Sequence, residues 1–193
     1  MPHIPVAKDS PGIFGLFQFR PETAVPMLEL CEVLLRGDNS LSRGERELIA
    51  GYVSQGNSSE FCEDGHFTIA SIQMEDGREI VRAVRAMPEE APIGAKMKAL
   101  LRIAEKVRIG GRTVLDDDVD TARDAGATDV EIHDAVLIAA AFSMFNRYVD
   151  GLDAIIPEDP NFHDVVGQRV VAQGYARMAK MISEGAAKAG ASR

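Results

Sequence analysis

The sequence predicts an all-α protein. Apolar residues recur at intervals of three and four in a series of segments that end at glycine or proline, the pattern of amphipathic helices. Two segments begin with the helix-capping sequence of Ser or Thr followed three positions later by Glu, at Ser42 and at Thr128. No pair of alternating apolar runs joined by a tight turn predicts a β-hairpin. The 193 residues suffice for one compact domain with its own core.

The N-terminal segment 1–19 contains scattered proline and glycine residues and is expected to form an extended arm. The first helix is predicted to begin at Pro21 or Pro26 and to end at Leu35, before Gly37. We expect a helical domain over 20–160. Residues 161–193 are predicted to form a C-terminal amphipathic helix and tail, which belong to the same domain or to its oligomer interface.

The second and third helices are predicted to form an antiparallel hairpin. The second begins at the Ser42 cap and ends at Gly56. The third is capped by Asn57, with Glu60 three positions on, and continues to about residue 74. Because the connection between them is very short, the two helices are expected to lie side by side.

The remaining helices follow from the same periodicity. They are predicted over residues 78–87, 93–109, 113–126, with Thr113 as cap, 130–156 and 162–187. The stretch 135–142 is apolar all round, which predicts that its helix is central.

The composition of the chain disfavours several classes of binding partner. Thirty acidic against 21 basic residues give a net charge of −9, which disfavours nucleic acid. Neither an export signal nor an apolar run of membrane-spanning length is present, so we expect a cytoplasmic protein without a membrane partner. The histidine and carboxylate spacings do not resemble a metal site, and no cofactor is predicted. The two cysteines, Cys31 and Cys62, are too few for a disulfide scaffold.

Candidate chemistry is concentrated on the predicted hairpin. Cys62 and His66 are four residues apart and lie on one face of a helix. Glu47 and His66 stand at about equal distances from the turn, so a Glu47–His66–Cys62 relay is geometrically feasible. An imidazole can take the thiol proton and a carboxylate can orient the imidazole, while the start of the helix favours a thiolate. Ser59 lies three positions before Cys62, where a two-cysteine redox motif would have its other sulfur.

Structural interpretations compete with this one. Cysteine is often simply buried, Glu47 fits an ordinary surface carboxylate, and Ser59 fits a first-turn serine that accepts from a backbone N–H. Asn146, Arg147 and Asp150 on the long central helix fit a structural role. His133 is interpreted as a surface or capping residue, and His3 and His163 as loop residues without a functional signal.

Several of these motifs resemble the alkylhydroperoxidase D and carboxymuconolactone decarboxylase family. The motifs are Leu41-Ser42-x-x-Glu45-Arg46-Glu47-Leu48-Ile49-Ala50, Ser54-x-x-Asn57-x-Ser59-x-Phe61-Cys62-x-x-x-His66, Ile132-x-Asp134-Ala135-Val136 and Phe145-Asn146-Arg147-x-x-Asp150-x-Leu152. The later pair is similar to the branch of peroxidase-related proteins. The resemblance implies a multihelical bundle with an extending helical arm, in which the hairpin carries the site, assembled as a homo-oligomer (dimer, trimer or hexamer).

The resemblance also implies roles for four residues. Cys62 corresponds to the cysteine that reacts first with peroxide, and His66 and Glu47 to the proton relay. Ser59 stands in place of the resolving cysteine. The chain is therefore expected to be an antioxidant peroxidase that reduces a small hydroperoxide, with an external thiol or thiol-redox protein as reductant.

Alternatives remain open at this stage. Cys31 could resolve an oxidised Cys62, or Ser59 could mark a protein whose activity is lost or was removed by engineering. A non-catalytic oligomeric binding protein of the same fold and a carboxymuconolactone-decarboxylase-like enzyme are the two other functions.

Overall fold

The structure, a computed structural model, describes residues 1–191 and is helical throughout, with nine α-helices, one 3₁₀ turn and no strand within that range. The helices are α1 (Ile13–Phe19), α2 (Pro21–Arg36), α3 (Arg43–Gly56), α4 (Glu60–Gln73), α5 (Gly77–Ala86), α6 (Ala95–Ile109), α7 (Asp116–Asp124), α8 (Asp129–Gly151) and α9 (Phe162–Ala191), with the 3₁₀ turn at Gly111–Thr113. The all-α prediction is confirmed.

The N-terminal segment differs from the extended arm predicted for it. Residues Ile13–Phe19 form α1, because Leu16 and Phe17 turn an apolar face inward and are buried. The glycines around this short run conceal its periodicity in the sequence. The segment before α1 lies on the loop after α8, where His3 N–H donates to the Leu152 carbonyl at 3.0 Å and Gly12 N–H to the Ile155 carbonyl at 2.7 Å.

Two predicted caps are also wrong. Asn57 ends α3 rather than starting α4, since Ser58 has φ 60° and the helix resumes at Glu60. Thr113 lies in the 3₁₀ turn, and α7 begins at Asp116, where the Asp118 carboxylate accepts from Leu115 N–H at 2.8 Å. The caps at Ser42 and Thr128 are present as predicted, each with its reciprocal glutamate.

The α3–α4 hairpin is the most extensive helix pair in the described structure. Gly51 allows the close approach, because a Cβ there would lie 2.6 Å from the Phe67 ring. A residue with a side chain at position 51 would push α4 away from α3, and the side chains that face each other across the hairpin would separate.

Helix α8 is central, as its apolar stretch predicts, and packs against α3 and α6. Its buried face includes Ile138, Phe142 and Phe145. The helix ends at Gly151, five residues earlier than its apolar pattern suggests, because Asp153 adopts a positive φ of 50°.

Helix α9 covers α2 and α4 and has a kink at Gly174, where φ is 76°. The backbone N–H groups of Tyr175 and Ala176 that the kink releases donate to Oε2 of Glu32 at 2.7 and 3.0 Å. A Cβ at position 174 would meet that same oxygen at 2.6 Å. Glycine is therefore required both by the backbone angle and by the glutamate, and the kink determines where Tyr175 lies.

A buried carboxylate ties α8 to the rest of the bundle. Glu131 accepts from Lys96 Nζ at 2.7 Å, Ser40 Oγ at 2.9 Å and Thr128 N–H at 2.7 Å. Burial opposes ionisation, but these donors outweigh it and lower the pKa of Glu131 to about 2.

The low pKa of Glu131 predicts a loss of stability in acid. Since the folded pKa is below the unfolded value of about 4.3, this stability is present above pH 5 and is lost as pH falls towards 2. Between pH 7 and pH 2.5 the wild type should lose about 2 kcal/mol more unfolding free energy than Glu131→Gln, measured by urea denaturation. Glu29→Gln, at an exposed position, is the control. Parallel pH curves for wild type and Glu131→Gln would contradict the prediction.

None of the described helices has the length and the apolar character needed to cross a bilayer.

Candidate active site

A cavity of about 80 Å³ lies between α1, α2, α4, α8 and α9, and most of its wall is apolar. Cys62 and His66 line it from α4, and Cys31 lines it from α2. Aromatic rings form much of the remaining wall: Phe14, Phe17, Phe61, Phe142, Phe145 and Phe162. We refer to this space as the thiol cavity.

Glu47 and His66 are joined across the α3–α4 hairpin. Nδ1 of His66 lies 2.6 Å from Oε2 of Glu47, whose side chain is only 1% exposed. A carboxylate accepts, so Nδ1 carries the proton and Nε2 is left as the acceptor nitrogen. The edge of the Phe142 ring packs against the imidazole with 4.4 Å between centroids and fixes its plane.

Tyr175 holds the other oxygen of Glu47. Its hydroxyl donates to Oε1 at 2.8 Å, and Tyr175 is buried and also lines the thiol cavity. Burial and the charge of Glu47 raise the pKa of Tyr175 well above its usual value, so the hydroxyl keeps its proton and remains a donor. The carboxylate is thus fixed by one donor on each oxygen.

Cys62 is buried, and burial raises the pKa of its thiol. The Ser59 hydroxyl and the Asn146 amide act against that rise, and the charge of Asp150 adds to it. We expected the start of a helix to favour the thiolate. The pKa of Cys62 instead moves in the opposite direction, because burial outweighs the Ser59 and Asn146 donors, and the resting sulfur is a thiol.

Ser59 is the N-cap residue of α4, but its side chain does not cap the helix. Its side chain makes no capping bond and instead donates to Oδ1 of Asp150 at 2.9 Å, which joins α4 to α8. The first-turn interpretation of this serine is therefore wrong.

Asn57 and Asn146 form a polar bridge beside the thiol. Asn57 Nδ2 donates to Asn146 Oδ1 at 2.9 Å, and Asn146 Nδ2 donates to Ser54 Oγ at 3.0 Å. Ser54 in turn donates to the Ala50 carbonyl at 2.8 Å. These hydrogen bonds explain why an asparagine can be buried at position 146. They also give Asn146 the structural role that was expected for it.

Cys31 is a free, buried thiol in the same cavity as Cys62. Burial raises its pKa far above the ordinary value, and the charges of Glu47 and Glu32 and the neighbouring Cys62 act in the same direction. Cys31 is therefore a poor nucleophile at neutral pH. Its role as a resolving residue stays a prediction.

His163 is placed differently from the loop position expected for it. It lies in the first turn of α9, lines the thiol cavity and packs on the Phe61 ring with 5.3 Å between centroids. Burial lowers its pKa, and the nearby His66 contributes to that effect. A second imidazole, neutral at pH 7, thus faces the cavity.

Sequence reasoning missed Tyr175 and His163 as site residues. Both lie on α9, about 100 residues from Cys62, and no local spacing relates them to the hairpin. The glycine one residue before Tyr175, inside an otherwise helical pattern, was the available signal of a kink. His133 does lie at the surface, with Nδ1 2.8 Å from Asp134 Oδ1.

Among the described residues, no group of three or more histidine, cysteine, aspartate or glutamate side chains could hold a metal ion.

Removal of the Tyr175 hydroxyl should leave Oε1 of Glu47 buried without its donor. We expect Tyr175→Phe to lower the free energy of unfolding by about 1–3 kcal/mol, as for other buried polar groups that lose a partner. Urea denaturation at fixed protein concentration measures this change. Tyr52→Phe is the control, because the half-buried Tyr52 hydroxyl forms no hydrogen bond with any of the described residues. An equal loss in both variants would contradict the role assigned to the Tyr175 hydroxyl.

Comparison with known proteins agrees with this architecture. The sequence model of the Carboxymuconolactone decarboxylase family matches residues 21–106, the segment that contains Glu47, Cys62 and His66. No protein with a curated description matches the chain.

Two crystal structures share the fold. An uncharacterized peroxidase-related protein from Ralstonia eutropha JMP134, with an alkylhydroperoxidase AhpD core, is 28% identical, has a TM-score of 0.71, and the match covers 79% of each chain. A peroxidase-related protein from Silicibacter sp. TM1040 is 24% identical with a TM-score of 0.71, covering 79% of this chain and 78% of the other.

The helical hairpin that carries the Glu47–His66 pair and Cys62 thus belongs to an AhpD-like bundle. The chain has the AhpD-like fold of these peroxidase-related proteins, and its residues 21–106 are similar to the Carboxymuconolactone decarboxylase family.

Proposed function

We propose that this protein is a thiol peroxidase that reduces an organic hydroperoxide at Cys62. The observation that carries the proposal is the shared cavity: the Cys62 thiol and the Glu47-paired His66 face the same apolar space. A cavity with this lining suits a hydroperoxide that carries an apolar group better than it suits hydrogen peroxide.

The reaction begins with a protonated thiol. Nε2 of His66 takes the Cys62 proton as the peroxide arrives, and Glu47 stabilises the imidazolium through Nδ1–H. The sulfur attacks one peroxide oxygen, the O–O bond breaks, and the alkoxide that leaves receives the proton from His66. Cys62 becomes a sulfenic acid, oxidised by two electrons, and the hydroperoxide is reduced to an alcohol.

An external thiol completes the cycle in this proposal. Ser59 leaves the motif without a second sulfur, so a thiol condenses with the sulfenic acid to give a mixed disulfide and water. A second external thiol then releases Cys62 as a thiol and forms a disulfide with the first. A reducing compartment such as the cytoplasm supplies these thiols, and we expect the working form to be a homo-oligomer.

The test is stopped-flow mixing of the reduced protein with cumene hydroperoxide, with trapping of the sulfenic acid by dimedone. Wild type and Cys31→Ser should react at Cys62 faster than a free thiol, and Cys62→Ser should not react. A Cys62 that reacts no faster than a free thiol defeats the proposal. Cys31 is the resolving residue if Cys31→Ser forms the sulfenic acid and requires external thiol for turnover, while wild type turns over without it.

The family match at residues 21–106 favours a second candidate, decarboxylation of a carboxylated lactone. That chemistry does not need the Cys62 sulfur. Lactone decarboxylation that survives Cys62→Ala would support this candidate.

The cavity at Cys62 argues against a third interpretation, a non-catalytic binding protein in which side chains fill the thiol site.

A further inference from the structure

A second, larger cavity of about 540 Å³ lies between the N-terminal segment with α1 and the outer face of α9. We refer to it as the vestibule. It shares part of its wall with the thiol cavity: Phe14, Phe162, Val166, Val170 and Met178 line both. The shared wall is entirely apolar, and it places the vestibule next to the cavity that Cys62 lines.

The vestibule is richer in polar groups than the thiol cavity. Arg169 and Arg177 line it from α9, on either side of the Gly174 kink, and neither forms an ion pair with a carboxylate in the described residues. Asp9 is the single carboxylate among the lining residues. Two cations against one anion give a locally positive space on a chain whose net charge is −9.

We propose that the vestibule binds the carboxylate of an amphipathic substrate whose hydrocarbon part enters the thiol cavity. The proposal rests on the proposed peroxidase function and specifies its substrate class: a hydroperoxide on an apolar chain that ends in a carboxylate, such as a fatty-acid hydroperoxide.

The chemistry of the two spaces supports this assignment. Guanidinium groups bind carboxylates through paired, charge-assisted hydrogen bonds, and Arg169 and Arg177 are exposed and therefore accessible to a ligand in the vestibule. The wall shared by the two cavities accepts hydrocarbon. A neutral alkyl hydroperoxide would fill only the inner cavity and would leave both arginines unused.

Binding is tested without turnover, on full-length Cys62→Ala protein, by calorimetric titration with decanoate and with its methyl ester. We expect decanoate to bind about tenfold more tightly than the ester. In Arg169→Gln/Arg177→Gln that preference should fall to about one, with ester affinity unchanged. The matched control is Arg112→Gln, an exposed arginine that lines neither cavity. It should retain the wild-type preference.

Four outcomes overturn the proposal. The first is equal binding of decanoate and its methyl ester by protein that retains Arg169 and Arg177, because the carboxylate charge would then have no role. The second is an equal loss of the preference for decanoate in Arg112→Gln, which would show only a general effect of net charge. Binding of glutathione but not of decanoate would show that the vestibule binds the carboxylate of a thiol reductant and not that of a hydroperoxide substrate. If sedimentation shows a dimer or larger assembly that Arg169→Gln/Arg177→Gln dissociates, and decanoate does not bind, the vestibule is an interface with a second copy.

Kinetics separate this proposal from the peroxidase proposal. With Cys62 present, kcat/KM for a fatty-acid hydroperoxide should fall about tenfold in Arg169→Gln/Arg177→Gln, while kcat/KM for its methyl ester should not change. If Cys62 reacts with neither peroxide, the peroxidase proposal fails, but the binding result remains informative. If Cys62 reacts equally with acid and ester in all variants, the substrate class is wrong and the peroxidase activity stands.

Discussion

Glu47→Gln is expected to slow the oxidation of Cys62 by organic hydroperoxide by about 10²-fold or more at pH 7, the range typical for loss of general acid–base assistance. Glutamine keeps the shape of the side chain but cannot stabilise an imidazolium, and Glu47 is the group that receives Nδ1–H of His66. Because burial raises the pKa of Cys62, the thiol depends on His66 for removal of its proton. Stopped-flow rates across pH 5–10 measure the effect.

The pH dependence distinguishes this relay from simple damage to the fold. As pH rises, hydroxide replaces the missing base, so the rate of Glu47→Gln should approach that of wild type above the pKa of the thiol. Glu60→Gln is the control, since Glu60 is an exposed carboxylate on the same helix as Cys62. A Glu47→Gln protein that is correctly folded and as reactive as wild type at pH 7 would remove Glu47 from the mechanism.

Phe142→Ala is expected to lower the free energy of unfolding by about 3–5 kcal/mol, as is typical for a buried phenylalanine truncated to alanine. The ring is 1% exposed and contacts both the His66 imidazole and the Phe145 ring, at 4.4 and 5.4 Å between centroids. It also lines the thiol cavity, so truncation enlarges an existing space. Urea denaturation at fixed protein concentration gives the change.

The matched control for this packing effect is Phe19→Ala, at a position that is 50% exposed, with an expected loss below 1 kcal/mol. Phe142→Leu should restore most of the stability because it restores most of the volume. A loss of less than 1 kcal/mol in Phe142→Ala would show that α8 does not form the centre of the core.

The hairpin and its pair of facing residues could be predicted because they depend on local rules. The Ser42 cap and Gly56 fix the length of α3, and the short connection fixes its antiparallel partner. The rise of 1.5 Å per residue then places Glu47 opposite His66, and the structure shows them hydrogen-bonded. No contact distant in sequence is needed for this result.

Local rules failed where a side chain had a better partner elsewhere in the fold. Asparagine is a common residue at helix caps, yet the side-chain amide of Asn57 bonds to Asn146, 89 residues away. Ser59 likewise bonds Asp150 on α8 rather than the first turn of its own helix. In both cases the distant partner lies on the central helix, and sequence spacing carries no information on its position.

The sequence alone determined the helical class, the hairpin, the central helix and the position of Glu47 opposite His66, because capping and helical periodicity act within a few residues. Tertiary structure decided the environment of those residues. Burial keeps Cys62 protonated, and the Gly174 kink determines where Tyr175 meets Glu47. The packing of α9 places His163 in the wall of the thiol cavity, and Arg169 and Arg177 in the wall of the vestibule. Desolvation and long-range packing depend on which helices meet, and that is settled only when α9 closes over α2 and α4.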